Sequence, residues 1–107
     1  MEEVKVEDMV YRYLCQNHRG KDMLIKNKNL RKLFNIGSDK SMRKVIQNIR
    51  EDEKYREVIG SVSGQSGGFY MCTTNEEKEE TINNIRHRAK QMLKMCDVLE
   101  IKRKLEE

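Results

Sequence analysis

The sequence predicts a mainly α-helical fold that carries one small β-hairpin. Apolar residues recur every three or four positions over most of the chain, which is typical of helices with one buried face. In the second half, "YREVIGSV" and "GGFYMCTT" flank the turn cluster "SGQSG", a pattern typical of two antiparallel strands joined by a loop. With 107 residues, the chain is long enough for one modest core.

Two helices and a short strand are predicted for the first part of the chain. The first helix covers 4–18, and "NHRGKD" ends it because Gly20 can adopt a left-handed conformation. "MLIK" (23–26) is too short for a helix and is predicted as a strand. The second helix, 28–35, follows Asn27, which is expected to be its N-cap. Both helices are expected to turn apolar side chains inward, namely Met9, Val10, Tyr13, Leu14, Leu30, Leu33 and Phe34.

A third helix is predicted from about Asp39 to Glu53, after the turn "NIGS" and with Ser38 as its cap. At about 100° per residue, one face holds Met42, Val45, Ile46 and Ile49. The opposite face holds Lys40, Lys44 and Gln47, with Arg43 and Asn48 on the flanks. The helix therefore combines an aliphatic face with a face of basic and amide side chains.

The last segment is predicted as one long helix. Thr74 and Glu77 form a capping box, and helical spacing continues through 75–105, which would be about 45 Å long. We therefore divide the chain into residues 1–74 and a C-terminal helix, 75–107. Ile82, Ile85 and Ala89 are expected to dock on the remainder of the chain.

Positive charge is concentrated in the region of the second and third helices. The chain has a net charge of +4, but residues 26–50 contain eight basic side chains and one acidic side chain, Asp39. Such a concentration is typical of a surface that binds nucleic acid. By itself, a basic helix face is also compatible with an ordinary solvated surface.

Composition and motifs exclude several other classes of function. No apolar run is long enough to cross a bilayer, and the N-terminus has no signal-peptide pattern, so we expect a cytoplasmic protein. The three cysteines have no CxxC spacing and are expected to be reduced core residues. No catalytic motif, metal-ligand spacing or cofactor fingerprint occurs, and we expect no enzyme and no small-molecule substrate.

The order of elements over residues 4–74 resembles a winged helix-turn-helix protein. The two-helix unit corresponds to "NLRKLFNIGSDKSMRKVIQNIR" (29–50), and the hairpin 57–73 takes the place of the wing. The chain is also similar to small winged-helix proteins of phages and prophages from low-GC Gram-positive bacteria. That similarity lies in Leu33–Ile36, Met42–Arg50, Gly68–Tyr70 and Thr73–Glu77. The resemblance implies binding of double-stranded DNA, in transcription regulation or replication.

The expected DNA-binding residues follow from how a helix enters the major groove, where side chains near its start reach the bases. Second-helix cations are expected to meet phosphates. Whether the hairpin tip, which has no basic residue, touches DNA stays open. The candidates are Lys28, Arg31, Lys32, Lys40, Ser41, Arg43, Lys44, Gln47, Asn48 and Gln65.

The end of the terminal helix carries more apolar side chains than a small domain can cover, which is typical of an interface. We expect a homodimer, formed by an antiparallel or crossed pair of these helices, through Met92, Met95, Cys96, Leu99 and Ile101. Two alternatives stay open. The helix could fold back over the first helix, or the chain could be a winged-helix protein-interaction module that does not bind DNA.

Overall fold

The computed structural model describes residues 5–106 of the chain. These residues form four α-helices, a short 3₁₀ turn and a two-stranded antiparallel hairpin, which confirms a mainly helical fold with a small hairpin and a long C-terminal helix. In chain order the elements are α1 (Val6–Asn17), the 3₁₀ turn (Lys21–Met23), α2 (Asn27–Phe34), α3 (Asp39–Glu51), β1 (Ile59–Val62), β2 (Gly68–Met71) and α4 (Asn75–Leu105).

The core lies where α1, α2, α3 and the hairpin meet. The aliphatic face predicted for α3 is confirmed, because all four of its residues are buried. They pack in one cluster with Val10 and Leu14 of α1, Leu30 of α2 and apolar residues of the hairpin. Tyr11, Tyr13, Phe34 and Tyr55 are partly buried around this cluster. Residues 5–74 therefore enclose a core of their own, and we call them the body.

β2 is the central segment of the hairpin region. On one side it pairs with β1, with Ile59 opposite Met71 and Val62 opposite Gly68. On its other side the strand predicted at 23–26 is reduced to a single bridge, in which Ile25 and Phe69 exchange two backbone hydrogen bonds of 2.9 Å. Since β2 has neighbours along both edges, all four of its residues are buried.

Several predicted details of α1 and α2 are wrong. Met9 is 41% exposed and Leu33 is 56% exposed, because each lies at the edge of its helix's buried stripe. α1 ends at Asn17, before Gly20, whose positive φ of 90° starts the 3₁₀ turn instead. The N-cap of α2 is Lys26, which makes no side-chain capping bond, and Asn27 is the first helical residue.

α4 begins with one half of the predicted capping box, since the Glu77 carboxylate accepts from the Thr73 amide and not from the Thr74 amide, and then leaves the body. The Thr74 hydroxyl accepts a hydrogen bond from the Glu77 amide at 3.1 Å. Glu77 reaches back to the Thr73 amide at 2.8 Å and also accepts from the Lys21 amide at 2.8 Å. Thr81 is buried, but every side chain from Ile82 to Glu106 is exposed.

The docking expected of Ile82, Ile85 and Ala89 is therefore shallower than predicted, since Ile82 and Ile85 retain 42% and 40% exposure. Cys96 is exposed, which contradicts its prediction as a core residue, whereas Cys72 is buried. The physical reason is the length of α4: its 31 residues extend for about 45 Å, farther than the body reaches. No helix within residues 5–106 is both long enough and apolar enough to cross a membrane.

Candidate nucleic-acid interface

The outer face of α3 is exposed and basic. Ser38 caps the helix by accepting a hydrogen bond from the Ser41 amide at 3.1 Å. Lys40, Arg43 and Lys44 are exposed, and within residues 5–106 none of them makes a salt bridge. The aliphatic face fixes the rotation of α3 about its axis, so these cations point away from the core. Neither the hairpin nor α4 covers them.

Gln47 and Asn48 are neighbours in sequence but lie in different surroundings. Gln47 is exposed on the basic face and donates a hydrogen bond to Glu51, one turn later, at 2.8 Å. Asn48 is half-buried and donates to the Glu7 carboxylate of α1 at 3.1 Å. The structure thus turns Asn48 toward α1 and away from the other candidates on α3. Asn48, which the sequence predicts as a DNA-binding residue, therefore lies outside this face.

Arg31 braces the turn between α2 and α3. Its guanidinium donates to the carbonyl oxygens of Ile36 at 3.4 Å and Gly37 at 2.9 Å, and to the Asp39 carboxylate at 2.9 Å. This last contact pairs Arg31 with the negative charge of Asp39, the one acidic side chain within residues 26–50. Lys28 and Lys32 remain exposed, and together with Arg31 they line a shallow cavity of about 540 Å³ at the turn.

Arg50, the last cation of the basic region, holds the hairpin against α3. It donates to the Ile59 carbonyl oxygen through Nε at 3.0 Å and Nη2 at 2.7 Å, and Nη2 also reaches the Ser61 hydroxyl at 3.2 Å. Burial lowers the pKa of this guanidinium, and the nearby charge of Arg88 lowers it further. Arg50 is therefore a structural residue, and the wall that it stabilises borders the basic face.

A groove runs between α3, the hairpin and the start of α4. Its volume is about 740 Å³. Arg43 and Gln47 line it from α3, Ser61 and Ser63 from the hairpin, and Arg88 from α4. Its walls combine these polar groups with apolar side chains, among them Ile46, Val62, Phe69 and Ile85. One side of the basic face is thus continuous with a concave surface.

Arg88 is not among the residues predicted for the interface, because the sequence predicts only docking and dimerisation for α4. The spacing of residues along α4 nevertheless indicates where Arg88 lies. Arg88 follows Thr81 and Ile85 at intervals of four and three residues, so it lies on the side of α4 that faces the body. The structure adds this cation to the groove and removes Arg31 and Arg50 from the set of outward charges.

The tip of the hairpin is uncharged and exposed. Ser63, Gly64, Gln65 and Ser66 form it, and Gly64 has a positive φ of 96°. Hydroxyl, amide and backbone N–H groups are the donors available at this tip. Ser63 and Gly64 also line the groove, as Arg43 and Gln47 do.

Several titratable side chains elsewhere in the body make internal contacts. Glu57 binds Arg19 through two hydrogen bonds and accepts a third from the Cys15 thiol. Tyr55 donates a short hydrogen bond to Asp8. In the part of the chain that the structure describes, no group of three or more His, Cys, Asp or Glu residues is arranged to hold a metal ion.

The candidate interface is therefore the exposed, basic outer face of α3, extended by Lys28 and Lys32 on one side and by the groove on the other. No protein-family model matches the chain, and neither a curated protein nor a solved structure does so.

Proposed function

We propose that this protein is a winged-helix protein that binds double-stranded DNA, with α3 as the recognition helix and the hairpin as the wing. One observation carries the proposal. Lys40, Arg43, Lys44 and Gln47 stand outward and uncovered on a helix whose opposite face is fixed in the core. An α-helix fits the major groove of B-DNA, where base edges present donors and acceptors that differ between base pairs.

Each side chain has a role that suits its chemistry. Arg43 can bridge N7 and O6 of guanine, and Gln47 can bridge N6 and N7 of adenine once it releases Glu51. Ser41, Lys40 and Lys44 stand near the start of α3, where contacts to bases and adjacent phosphates meet. Lys28 and Lys32 would bind phosphates, which positions the protein on the duplex without reading its sequence.

The groove extends this interface beyond α3. Arg88 would contact a phosphate of the strand that passes between α3 and the hairpin, and the hairpin tip would donate hydrogen bonds from Ser63 and Gln65. Arg31 acts indirectly, because it holds the turn that sets the angle of α3. The resemblance to phage and prophage winged-helix proteins supports transcription regulation or replication as the process.

The test is binding of a fluorescent random-sequence duplex, followed by anisotropy at several salt concentrations. The variant Lys40→Glu/Lys44→Glu should weaken binding by about 100-fold or more at low salt, because counterion release at phosphates drives non-specific affinity. The matched control is Lys90→Glu/Lys94→Glu, which makes the same change in net charge on the exposed surface of α4. Equal loss of affinity in both variants, or no binding by the wild type, would overturn the proposal.

Selection of bound sites from a random DNA library then tests the recognition roles. Arg43→Ala should relax the preference at one guanine position, at a cost of about 1–3 kcal/mol for the preferred site. Lys32→Ala should weaken all sites alike and lower the slope of affinity against salt. Identical site preferences in the wild type and Arg43→Ala would remove Arg43 from base recognition.

A second function has its own supporting observation. The exposed apolar side chains of α4 favour a winged-helix module that binds another protein through this helix and leaves the basic face unused. Such a module would bind the duplex weakly even at low salt, and Lys40→Glu/Lys44→Glu would leave that binding unchanged. The anisotropy experiment therefore separates the two functions.

A further inference from the structure

The partner that fits α4 is a second copy of the same chain. We propose that two α4 helices pair antiparallel, with the two-fold axis passing near residue 94. This inference goes beyond DNA binding and does not depend on it. The sequence predicts a dimer, and this inference adds the orientation of the two helices and their register. Each of these two additions can be tested separately.

An apolar row with heptad spacing defines the contact face. Ile82, Ile85, Ala89, Met92, Cys96 and Leu99 follow one another at intervals of three and four residues. This is the spacing of the seam along which two helices supercoil. The row is uncovered in the single chain: Met92 is 63% exposed and Leu99 is 54% exposed.

The register follows from what flanks this row. With residue 94 at the centre, Met92 packs beside the partner's Cys96, and Ala89 beside the partner's Leu99. Leu93 and Met95, which border the row on its two sides, then both lie at the two-fold axis. Their exposed apolar side chains face their own counterparts there, where a charged residue would be costly. Shifting the register by a heptad moves both of them away from the axis.

Charge favours the same arrangement. In this register Arg86 lies across the flank from the partner's Glu100, and the symmetry makes this contact twice. Glu100 is exposed and binds Arg103 of its own chain at 2.6 Å, so its carboxylate already faces cations. On the other flank Arg88, which also lines the groove of the body, approaches the partner's Lys102, and this contact between like charges offsets part of that gain.

A parallel pair fits less well. It would place Arg103 against the partner's Arg103 within the seam, where like charges destabilise the dimer. Arg86 and Glu100 would also be separated along the helix. Ile101 does not belong to the antiparallel seam. With Val98 and Leu105 it lies on nearly the opposite side of α4, so we no longer assign Ile101 to this interface.

Cysteine cross-linking tests the orientation in the full-length protein without DNA. The native Cys96 is one partner, and Met92→Cys/Cys96→Ser supplies the other on a tagged chain. We expect the mixture to form a disulfide between residue 92 of one chain and residue 96 of the other, because facing seam positions meet the distance requirement. Each protein alone should cross-link at least tenfold less at these positions.

A parallel pair gives the reverse pattern, because residue 96 then faces residue 96 and residue 92 faces residue 92. Strong cross-linking of each protein alone, with none in the mixture, would overturn the orientation. Peptide mapping identifies the linked residues and separates them from Cys15 and Cys72. Since both substitutions lie on exposed positions, circular dichroism should show unchanged folding.

Charge exchange tests the register. Arg86→Glu and Glu100→Arg should each raise the dimer dissociation constant by about tenfold in sedimentation equilibrium, since each places like charges at two contacts. The double variant Arg86→Glu/Glu100→Arg restores opposite charges and should return the constant to within about threefold of the wild type. A wild type that stays monomeric at high micromolar concentration, or a double variant weaker than either single one, would overturn the inference.

These results are independent of the DNA-binding proposal. A wild type that binds DNA but stays monomeric would overturn this inference alone. Dimerisation with no DNA retention would overturn the proposed function alone.

Discussion

The body and α4 use apolar residues in opposite ways. Within residues 5–106, thirteen apolar side chains form the core with exposures of 8% or less, and they come from α1, α2, α3 and the hairpin region. On α4, the large apolar side chains from Ile82 to Leu105 have exposures of 40–80%. Both regions contain apolar rows with helical spacing, although on α4 Val98, Ile101 and Leu105 lie outside the row. A periodic apolar row therefore predicts a buried face only where other elements of the same chain are near enough to cover it.

Several short elements can surround a core, but one helix cannot cover itself. In the body, short helices and strands follow one another through short connections and pack together. Arg31 holds the turn between α2 and α3, and Arg50 holds the hairpin against α3. α4 continues in one direction for 31 residues, and the molecule reaches 57 Å along its longest axis. Its row is thus available to a second molecule, and the body should fold without that molecule.

The largest expected contrast is in thiol labelling. At protein concentrations low enough for a monomer, Cys96 should react quickly with a thiol reagent, because it is exposed on α4. Cys72 is buried and should react only through opening of the body, slower by about 1,000-fold or more. Cys15 should also be slow, since burial and the Glu57 carboxylate raise its pKa to about 11.

Mass spectrometry of partly labelled protein assigns the order of these three reactions. Equal rates for Cys72 and Cys96 would mean that the body opens as freely as α4 and would remove the contrast. Raising the protein concentration should slow Cys96 alone if α4 pairs with a second copy.

Truncation of apolar residues gives the next largest contrast. Ile49→Ala should lower the free energy of unfolding by about 2–4 kcal/mol, because Ile49 is buried in the core and truncation leaves a cavity. Leu99→Ala should change it by less than about 0.5 kcal/mol at monomeric concentration, since Leu99 is exposed. Urea unfolding of both variants measures the difference. A similar loss for Leu99→Ala would show that α4 packs on the body in solution.

A glycine pair tests how closely the chain packs at the hairpin. A Cβ at Gly68 would lie 2.0 Å from the backbone oxygen of Ile25, so Gly68→Ala must break the bridge between residue 25 and Phe69. We expect a loss of about 1–3 kcal/mol. Gly37→Ala is the control, because nothing lies within 4 Å of a Cβ there. Equal unfolding midpoints for the two variants would show that the Ile25 segment is not held against β2.

Much of the fold was predictable from local signals. The aliphatic face of α3, the Ser38 cap and the Gly/Ser turn each depend on residues close in sequence, and each was placed correctly. The misplaced residues, such as Leu33 and Met9, lie at the edges of helical stripes. Periodicity indicates the direction of a face but not its width, which depends on what the neighbouring elements cover.

The candidate site was less predictable, because its composition depends on contacts that side chains make outside their own helix. Arg31, Arg50 and Asn48 all belong to the basic or amide side chains of α2 and α3. The structure directs them to Gly37 and Asp39, to Ile59, and to Glu7 respectively. Arg88 enters the groove from α4 and lies 38 positions after Arg50 in the chain. Local sequence identifies the charges but not which of them have partners.

The smallest expected effect compares an ion pair of the body with one of α4. The Arg19 guanidinium, with help from the Cys15 thiol, lowers the pKa of Glu57 from 4.5 to about 2. A carboxyl with a lowered pKa in the folded state adds stability above its unfolded pKa and loses it as the pH falls. The advantage of the wild type over Glu57→Gln should thus be full at pH 6 and disappear between about pH 4.5 and pH 2.

The size of this advantage should be below about 1 kcal/mol, because Glu57 and Arg19 are both partly exposed and solvent screens them.

Glu100→Gln is the matched change on α4, where Glu100 and Arg103 form an exposed pair one turn apart. At monomeric concentration it should leave the unfolding free energy unchanged at every pH, because that pair joins no separate elements. Glu57 links α1 and the segment before β1. Removal of its charge should therefore lower the unfolding free energy of the body, although Glu57, like Glu100, is partly exposed. Urea unfolding at pH 3, 4, 5 and 6 measures both variants. The same pH dependence in both would show that the Glu57 contacts contribute no more than an ordinary surface pair.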